Sequence, residues 1–164
     1  MRQGKDMDIT FKTPEGRFNY RVCAMIIHDG RILAMKDEVS PYYYLPGGRV
    51  QLHEAADDAV LREVREELGV EAKILRPVWL NQGFFTEDVT AERFHEVCLY
   101  YLMDISHTDI LSRGATFTCR EGSRTHRYTW LPFAQLEKEY FYPKFLKKKI
   151  FFLPDTLTVQ AEYE

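Results

Sequence analysis

Cysteine is scarce in this chain of 164 residues, and the three present, Cys23, Cys98 and Cys119, stand far apart. That spacing excludes a disulfide framework and a cysteine-based zinc site. Cys23 and Cys98 fall inside apolar strand patterns, where a free thiol packs as a small hydrophobe. The simplest setting is cytoplasmic. Long apolar runs are also missing. No stretch approaches about eighteen apolar residues, so no membrane-spanning helix is expected. The start, MRQGKDMDITFK, has no apolar leader core, so no signal peptide is expected. Charge imbalance is small, at a formal −3, which gives no reason to expect nucleic acid as a partner. Repeats and linker-like tracts are absent. Residues 1–164 are therefore expected to form one domain, with its core over about residues 18–151.

Apolar material is ample by contrast: 45% of the residues are hydrophobic, enough for a full core. Ile9 and Phe11 suit a short edge strand after a polar start, and Thr13-Pro14-Glu15-Gly16 marks a turn. Tyr20 to Ile27 reads as a strand, Asp29-Gly30 as a tight hairpin turn, and Arg31 to Lys36 as the returning strand. Tyr42 to Leu45 also reads as strand. Beyond Gly69 the chain reads extended from Glu71 to Leu80, with Pro77 marking a bulge or an edge. Glu87 to Arg93 reads as a charged hairpin loop, and Glu96 to Met103 as a long apolar strand. An irregular connection follows, with a short strand near Phe117. Arg127 to Leu131 reads as the last strand. Helical pieces are expected after Pro132 and from Pro143 to Phe151. The tail from Pro154 has no period. Strands on both sides of an internal helix indicate an α+β class.

That internal helix carries the chemistry. From Gly47 the chain reads GGRVQLHEAADDAVLREVREELGV. Ala56, Val60, Val64 and Leu68 recur every fourth residue and make one apolar stripe. Gly69 is placed to stop the helix. Glu63, Glu66 and Glu67 stand at i, i+3 and i+4, so their side chains are neighbours and repel. A hard divalent cation would offset that repulsion, since Mg²⁺ takes oxygen ligands.

Nine positions, Gly48, Glu54, Arg62-Glu63-Val64, Glu66-Glu67 and Gly69-Val70, resemble the Nudix box at every defined offset. The strand, glycine turn and helix around them agree with it. The resemblance implies an α/β/α sandwich around a mixed β-sheet. It also implies hydrolysis of a nucleoside diphosphate linked to another moiety. Alternatives are a nucleoside triphosphate pyrophosphohydrolase and a non-catalytic nucleotide-binding module. Modules of that kind often lose box carboxylates, and this chain keeps all of them. By position, Glu63, Glu66 and Glu67 become ligands of Mg²⁺, with Mn²⁺ as a substitute. Glu63 or Glu67 is also open as a proton relay. Arg62 becomes an orienter of the box carboxylates. The carbonyl of Gly48 becomes a further metal ligand. Gly47, Glu54 and Gly69 take structural roles. His95-Glu96 resembles a pair found in family members, which offers Glu96 as a metal-site or base residue.

Gln51 and His53 depart from the glutamate and glycine that many members carry there. A left-handed backbone at His53 would strain the loop. Substrate contacts are expected outside the box. Tyr44, Phe84 and Phe85 are the aromatic candidates, with Trp79 as a further stacking surface. The acidic loop at Glu87 to Arg93 would disfavour an extra phosphate, which favours a neutral moiety such as a sugar. The partner is thus a nucleotide-derived small molecule, and a homodimer is left open. Lys147-Lys148-Lys149 suits a solvated helix end.

Overall fold

The computed structural model describes residues 6–164. The first five residues, part of the stretch read as lacking a leader core, lie outside the described residues.

The chain runs through β1 (Thr10–Thr13), β2 (Gly16–Met25), β3 (Ile27–His28), β4 (Arg31–Lys36), β5 (Gly47–Arg49) and α1 (Ala56–Leu68). It continues through β6 (Lys73–Thr86), β7 (Arg93–Asp104), β8 (Thr116–Glu121), β9 (Arg124–Pro132), α2 (Leu146–Lys149) and β10 (Thr158–Tyr163). Short 3-10 turns occupy Ile110–Arg113 and Phe133–Lys138.

The larger sheet has the order β1-β2-β7-β6-β10, with β5 also paired to β2. The β2–β7 and β6–β10 pairs are parallel and the others antiparallel, so the sheet is mixed. A second sheet has the order β3-β4-β9-β8.

Strand alternation sorts β2 between two cores. Val22 and Ala24 pack with Val60, Val64 and Leu68 of α1. Cys23 and Met25 pack on the other face with Trp79, Leu136, Phe141, Leu146 and Ile150. One helix layer therefore covers each face, giving the expected α+β class and α/β/α layering. Burial of Val60, Val64 and Leu68, at about 1.5–3 kcal/mol each, clamps α1 to the sheet. Its carboxylate flank is held there with it.

Local signals explain the joints. Asp29 and Gly30 have φ of 48° and 68°, the two positive values that a two-residue hairpin turn requires. Gly69 closes α1 with φ 69° and an N–H donated to the Arg65 carbonyl at 2.9 Å. Pro77 lies at a register shift between β6 and β7. His53 does adopt the left-handed region, at φ 67°.

Several expectations need correction. Tyr42 to Leu45 is not a strand; it makes single bridges, Tyr44 to Met35 and Tyr43 to Phe141. The Tyr42 ring packs edge-on against Tyr44, Tyr140 and Tyr142, which draws the segment out of any ladder. The helix expected from Pro143 to Phe151 contracts to α2, and the piece after Pro132 is a 3-10 turn. The strand ending at Pro132 is not the last. β10 lies beyond the expected core and pairs with β6. Its half-buried residues include Gln160 and Glu162, while Val159 and Tyr163 are exposed, so it shows no apolar period.

Candidate active site

The three box glutamates do not share one surface. Glu63 and Glu67 are buried, and only Glu66 is exposed. The i, i+4 pair sits on the flank of α1 that meets β5. Gly48 is required there: a Cβ on it would lie 2.3 Å from Glu63 Oε1. Gly47 is required as well, since a Cβ on it would lie 2.1 Å from the Val22 carbonyl oxygen. The Gly47 N–H donates to Glu67 Oε2 at 3.3 Å. The glycine pair thus lets backbone and carboxylates approach where a side chain would wedge them apart.

Arg62 faces the same cluster. Its Nε and Nη2 grip Glu54 at 2.7 and 3.0 Å, and its Nη1 donates to Glu63 at 2.8 Å and Glu66 at 3.2 Å. Nη2 also reaches the Arg49 carbonyl at 3.1 Å. Glu54 in turn accepts the Gln51 N–H at 2.9 Å and so ties the loop before α1 to the helix. The Arg62 hydrogen bonds hold the Glu54 carboxyl below its usual range.

The two buried carboxyls shift the other way. Burial pushes Glu63 up, against the pull of Arg62. Burial pushes Glu67 well above the usual range, reinforced by Glu63 and by Glu121. Glu121 comes from the tip of the β8–β9 hairpin, where it meets His126 Nε2 at 3.0 Å. Among the described residues no three His, Cys, Asp or Glu side chains converge as a ready-made metal site. The donor set nevertheless fits Mg²⁺. It is all oxygen, and Mg²⁺ commonly uses one or two carboxylates and takes the rest from water and phosphates.

Beside the box opens a cavity of about 340 Å³, lined among others by Arg21, Tyr44, Phe85, Glu96 and Glu162. Arg21 stands at its junction with the box. The register pairs Arg21 with Arg49 on β5 and with Cys98 on β7. Burial works against its charged form, but Glu96 and the neighbouring Cys23, Cys98 and Tyr100 together outweigh it and favour the charged guanidinium. Its Nε is buried without a partner, a costly state in a finished interior and a natural one for a group awaiting an anion. Glu96 accepts only a long bond, 3.4 Å, from Asn19 Nδ2.

The expected substrate contacts divide. Tyr44 and Phe85 line the cavity, and the Tyr44 hydroxyl donates to Asp37 at 2.9 Å. Phe84 does not. It lies on the opposite face of β6, against His95 and Tyr163, because consecutive strand residues point apart. Trp79 is core, packed edge-on against Phe145. Cys23 and Cys98 are buried thiols 3.6 Å apart. Arg21, Glu121 and Glu162 were not singled out from sequence. The available signal for Arg21 was its place in β2, where it shares the parity of Cys23 inside a core strand.

A carboxylate-bearing helix is thus clamped over the mixed sheet of an α/β/α sandwich, its buried Glu63 and Glu67 closed against Gly47 and Gly48, with Arg21 of the cavity lining on the neighbouring strand β2. The NUDIX domain model matches residues 17–149, and the chain belongs to the Nudix family, whose chemistry is metal-dependent. Over 87 residues it is 29% identical to an ADP-ribose pyrophosphatase of Methanocaldococcus jannaschii, covering 51% of this chain and 49% of that protein. The chain thus spans about half the length of this curated relative. In fold it is similar to a mutator MutT protein from Bacillus halodurans, with TM-score 0.58 and 12% identity over 88% of this chain and 89% of that one. It is also similar in fold to an ADP-ribose pyrophosphatase from Streptococcus suis, with TM-score 0.55 and 17% identity over 88% and 98%. Among the described residues no helix is long and apolar enough to cross a membrane.

Proposed function

We propose that the chain hydrolyses a phosphoanhydride bond in a nucleoside diphosphate linked to another moiety, with Mg²⁺ held by Glu63 and Glu67. One observation carries this reading: two buried carboxylates, closed against Gly47 and Gly48, neighbour the strand β2 whose Arg21 lines a cavity with its Nε unpartnered. Mg²⁺, or Mn²⁺ in its place, would neutralise phosphate oxygens and lower the pKa of water. The chain's own residues do the rest. Arg62 fixes the rotamer of Glu63 and anchors it through Glu54. Glu66 shares Arg62 and joins the metal site only by turning away from it. A carbonyl of the Gly47-Gly48 pair adds an oxygen. Arg21 takes a phosphate oxygen, and Glu96 is the carboxylate that most favours its charge. Tyr44 and Phe85 bound the remainder of the substrate. The similarity to ADP-ribose pyrophosphatases supports a neutral moiety on the diphosphate.

A panel with Mg²⁺ tests this: nucleotide sugars, ADP-ribose, dinucleoside polyphosphates, and canonical and oxidised triphosphates. Hydrolysis of at least one diphosphate-linked compound, at higher kcat/KM than any triphosphate, is the expected outcome. Binding by calorimetry without cleavage of anything would instead make the chain a binding module.

The raised Glu67 pKa has a thermodynamic consequence. Between the ordinary glutamate value, about 4.3, and the raised one, the metal-free folded state binds a proton that the unfolded state has lost. Unfolding free energy therefore falls as pH rises through that window. Mg²⁺ requires the ionised carboxylates, so its binding expels the proton and is favoured at higher pH. The Mg²⁺-induced rise in Tm should be larger at about pH 8 than at about pH 6, while the metal-free Tm declines over the same interval. Scanning fluorimetry with and without Mg²⁺ reads both. A Mg²⁺ effect that shrinks with pH would place the metal elsewhere.

A further inference from the structure

The cavity continues from Arg21 away from α1, and its floor is a row across three strands. In register, Glu96 of β7 lies opposite Gly83 of β6, and Gly83 lies opposite Glu162 of β10. Adjacent strands are about 4.8 Å apart. Two carboxylate-bearing residues therefore flank a residue that has no side chain, one strand away on either hand. The nearest atoms a Cβ on Gly83 would meet are Asn81 Nδ2 at 3.6 Å and the Phe85 ring at 3.7 Å, ordinary contact distances. The space above Gly83 is cavity.

Tyr42, Tyr44, Tyr142 and Phe85 supply aromatic surface around it. The acids among the walls differ in how far they are committed. Asp37 accepts the Tyr44 hydroxyl and the backbone N–H groups of Val39 and Ser40. Glu87 accepts the Tyr42 hydroxyl and caps its own loop at Val89 and Thr90. Asp88 accepts the hydroxyls of Tyr140 and Tyr142. Glu162 is tied to no tyrosine of the walls; it accepts the Phe145 N–H and meets the Glu164 carboxyl. Burial first, and Glu164 beside it, push its carboxyl up to about 7.

The cavity thus offers Arg21, with a spare donor, on the strand next to the box, and acceptor oxygens and aromatic rings around Gly83; Arg124 also lines it. A ligand that matches has an anionic diphosphate at one end and a flat group with N–H donors at the other. Resting on the hydrolase reading above, we propose that the cavity over Gly83 receives the nucleobase and that Glu162 selects bases carrying an exocyclic amino group. An amino group donates to the carboxyl oxygens. Above about pH 8, where the carboxyl is ionised, a carbonyl in the same place sets lone pair against lone pair and leaves a buried acceptor unmatched, so the comparison is made there. Stacking on the rings tolerates any base, so discrimination falls to the edge.

The test compares nucleotides alike in phosphate and sugar and different only in the base: adenine or guanine against hypoxanthine, and cytosine against uracil. In the ring size that the cavity accepts, the amino-bearing base should be favoured about tenfold to a hundredfold in kcat/KM. Glu162→Gln, whose amide can donate as well as accept, should collapse that preference. Gly83→Val should raise KM for every base while leaving the Mg²⁺-induced rise in Tm in place. Calorimetric titration of the same pairs reads base selection even if no bond is cleaved. Absence of hydrolysis would overturn the hydrolase reading alone. Equal binding and equal turnover within every pair, or an amino preference that survives Glu162→Gln, would overturn the inference.

Discussion

Glu67→Gln should lower kcat by about two to three orders of magnitude and leave the metal-free fold at least as stable as before. The first half follows from charge. Glu67 is one of two buried carboxylates at the box, and the Gly47 N–H holds it from the glycine strand. Glutamine keeps the shape and an acceptor for that N–H but removes the negative charge that would bind a cation. Losing a preorganised electrostatic partner of developing charge costs about 10²–10³ in kcat, and a metal ligand contributes in the same way.

The second half follows from burial. Ionised Glu67 is disfavoured by desolvation, by Glu63 and by Glu121. A neutral amide escapes all three penalties, so above neutral pH the variant's metal-free Tm should equal or exceed that of the unchanged protein. The Mg²⁺-induced rise in Tm should shrink at the same time. Residues that serve a site at a cost to stability behave in this way. Steady-state kinetics on whichever substrate the panel identifies, paired with fluorimetry, checks both. Full activity in the variant would remove Glu67 from the chemistry. A large fall in metal-free Tm would mean that the carboxylate is held ionised by contacts that outweigh its burial.

How much of this was legible in the sequence depends on whether the signal was local and apolar. The helix and its stop were legible because Val60, Val64 and Leu68 repeat at the helical period and Gly69 supplies the left-handed residue that ends it. The Asp29-Gly30 turn was legible because two positive φ values in succession leave few residue choices. β10 was hidden because its half-buried positions, Gln160 and Glu162, are polar: that strand serves the cavity instead of a core. The same inversion hid Arg21, which lies on a core strand yet points its charge to the cavity mouth. The burial of Glu63 and Glu67 was not legible because spacing puts carboxylates side by side without saying which flank of the helix the sheet will cover. Phe84 and Phe85 are a different case. Strand alternation alone requires them to diverge, and only the position of the cavity decides which one faces it. Function at this site is therefore recorded in residues that break the binary pattern of their strands.

Arg62→Ala tests the support of the site, and its expected effect is double. The guanidinium, with a side chain only 18% exposed, is the one group that ties Glu54, Glu63, Glu66 and the Arg49 carbonyl together. Removing it leaves the mostly buried Glu54 and Glu63 carboxylates without a counter-charge, and breaking a fully buried pair costs about 3–5 kcal/mol. The residual exposure and the raised pKa open to Glu63 moderate that, so a loss of about 2–3 kcal/mol is expected. In a chain of this size that is a fall in Tm of about 5–10 °C. The catalytic loss has a separate origin. Without Arg62 the Glu63 rotamer is no longer fixed, and losing an outer partner of this kind lowers metal affinity or activity about 10–100-fold. Arg62→Lys separates the two. Lysine restores a positive charge but offers a point donor in place of the planar fork that grips Glu54 through two nitrogens. It should recover most of the Tm and only part of the activity, with the deficit showing as a higher Mg²⁺ requirement. Activity recovered in full by lysine would mean that charge alone matters at this position. A Tm unmoved by alanine would mean that Glu54 and Glu63 find other partners and that the loop before α1 is held without this ion pair.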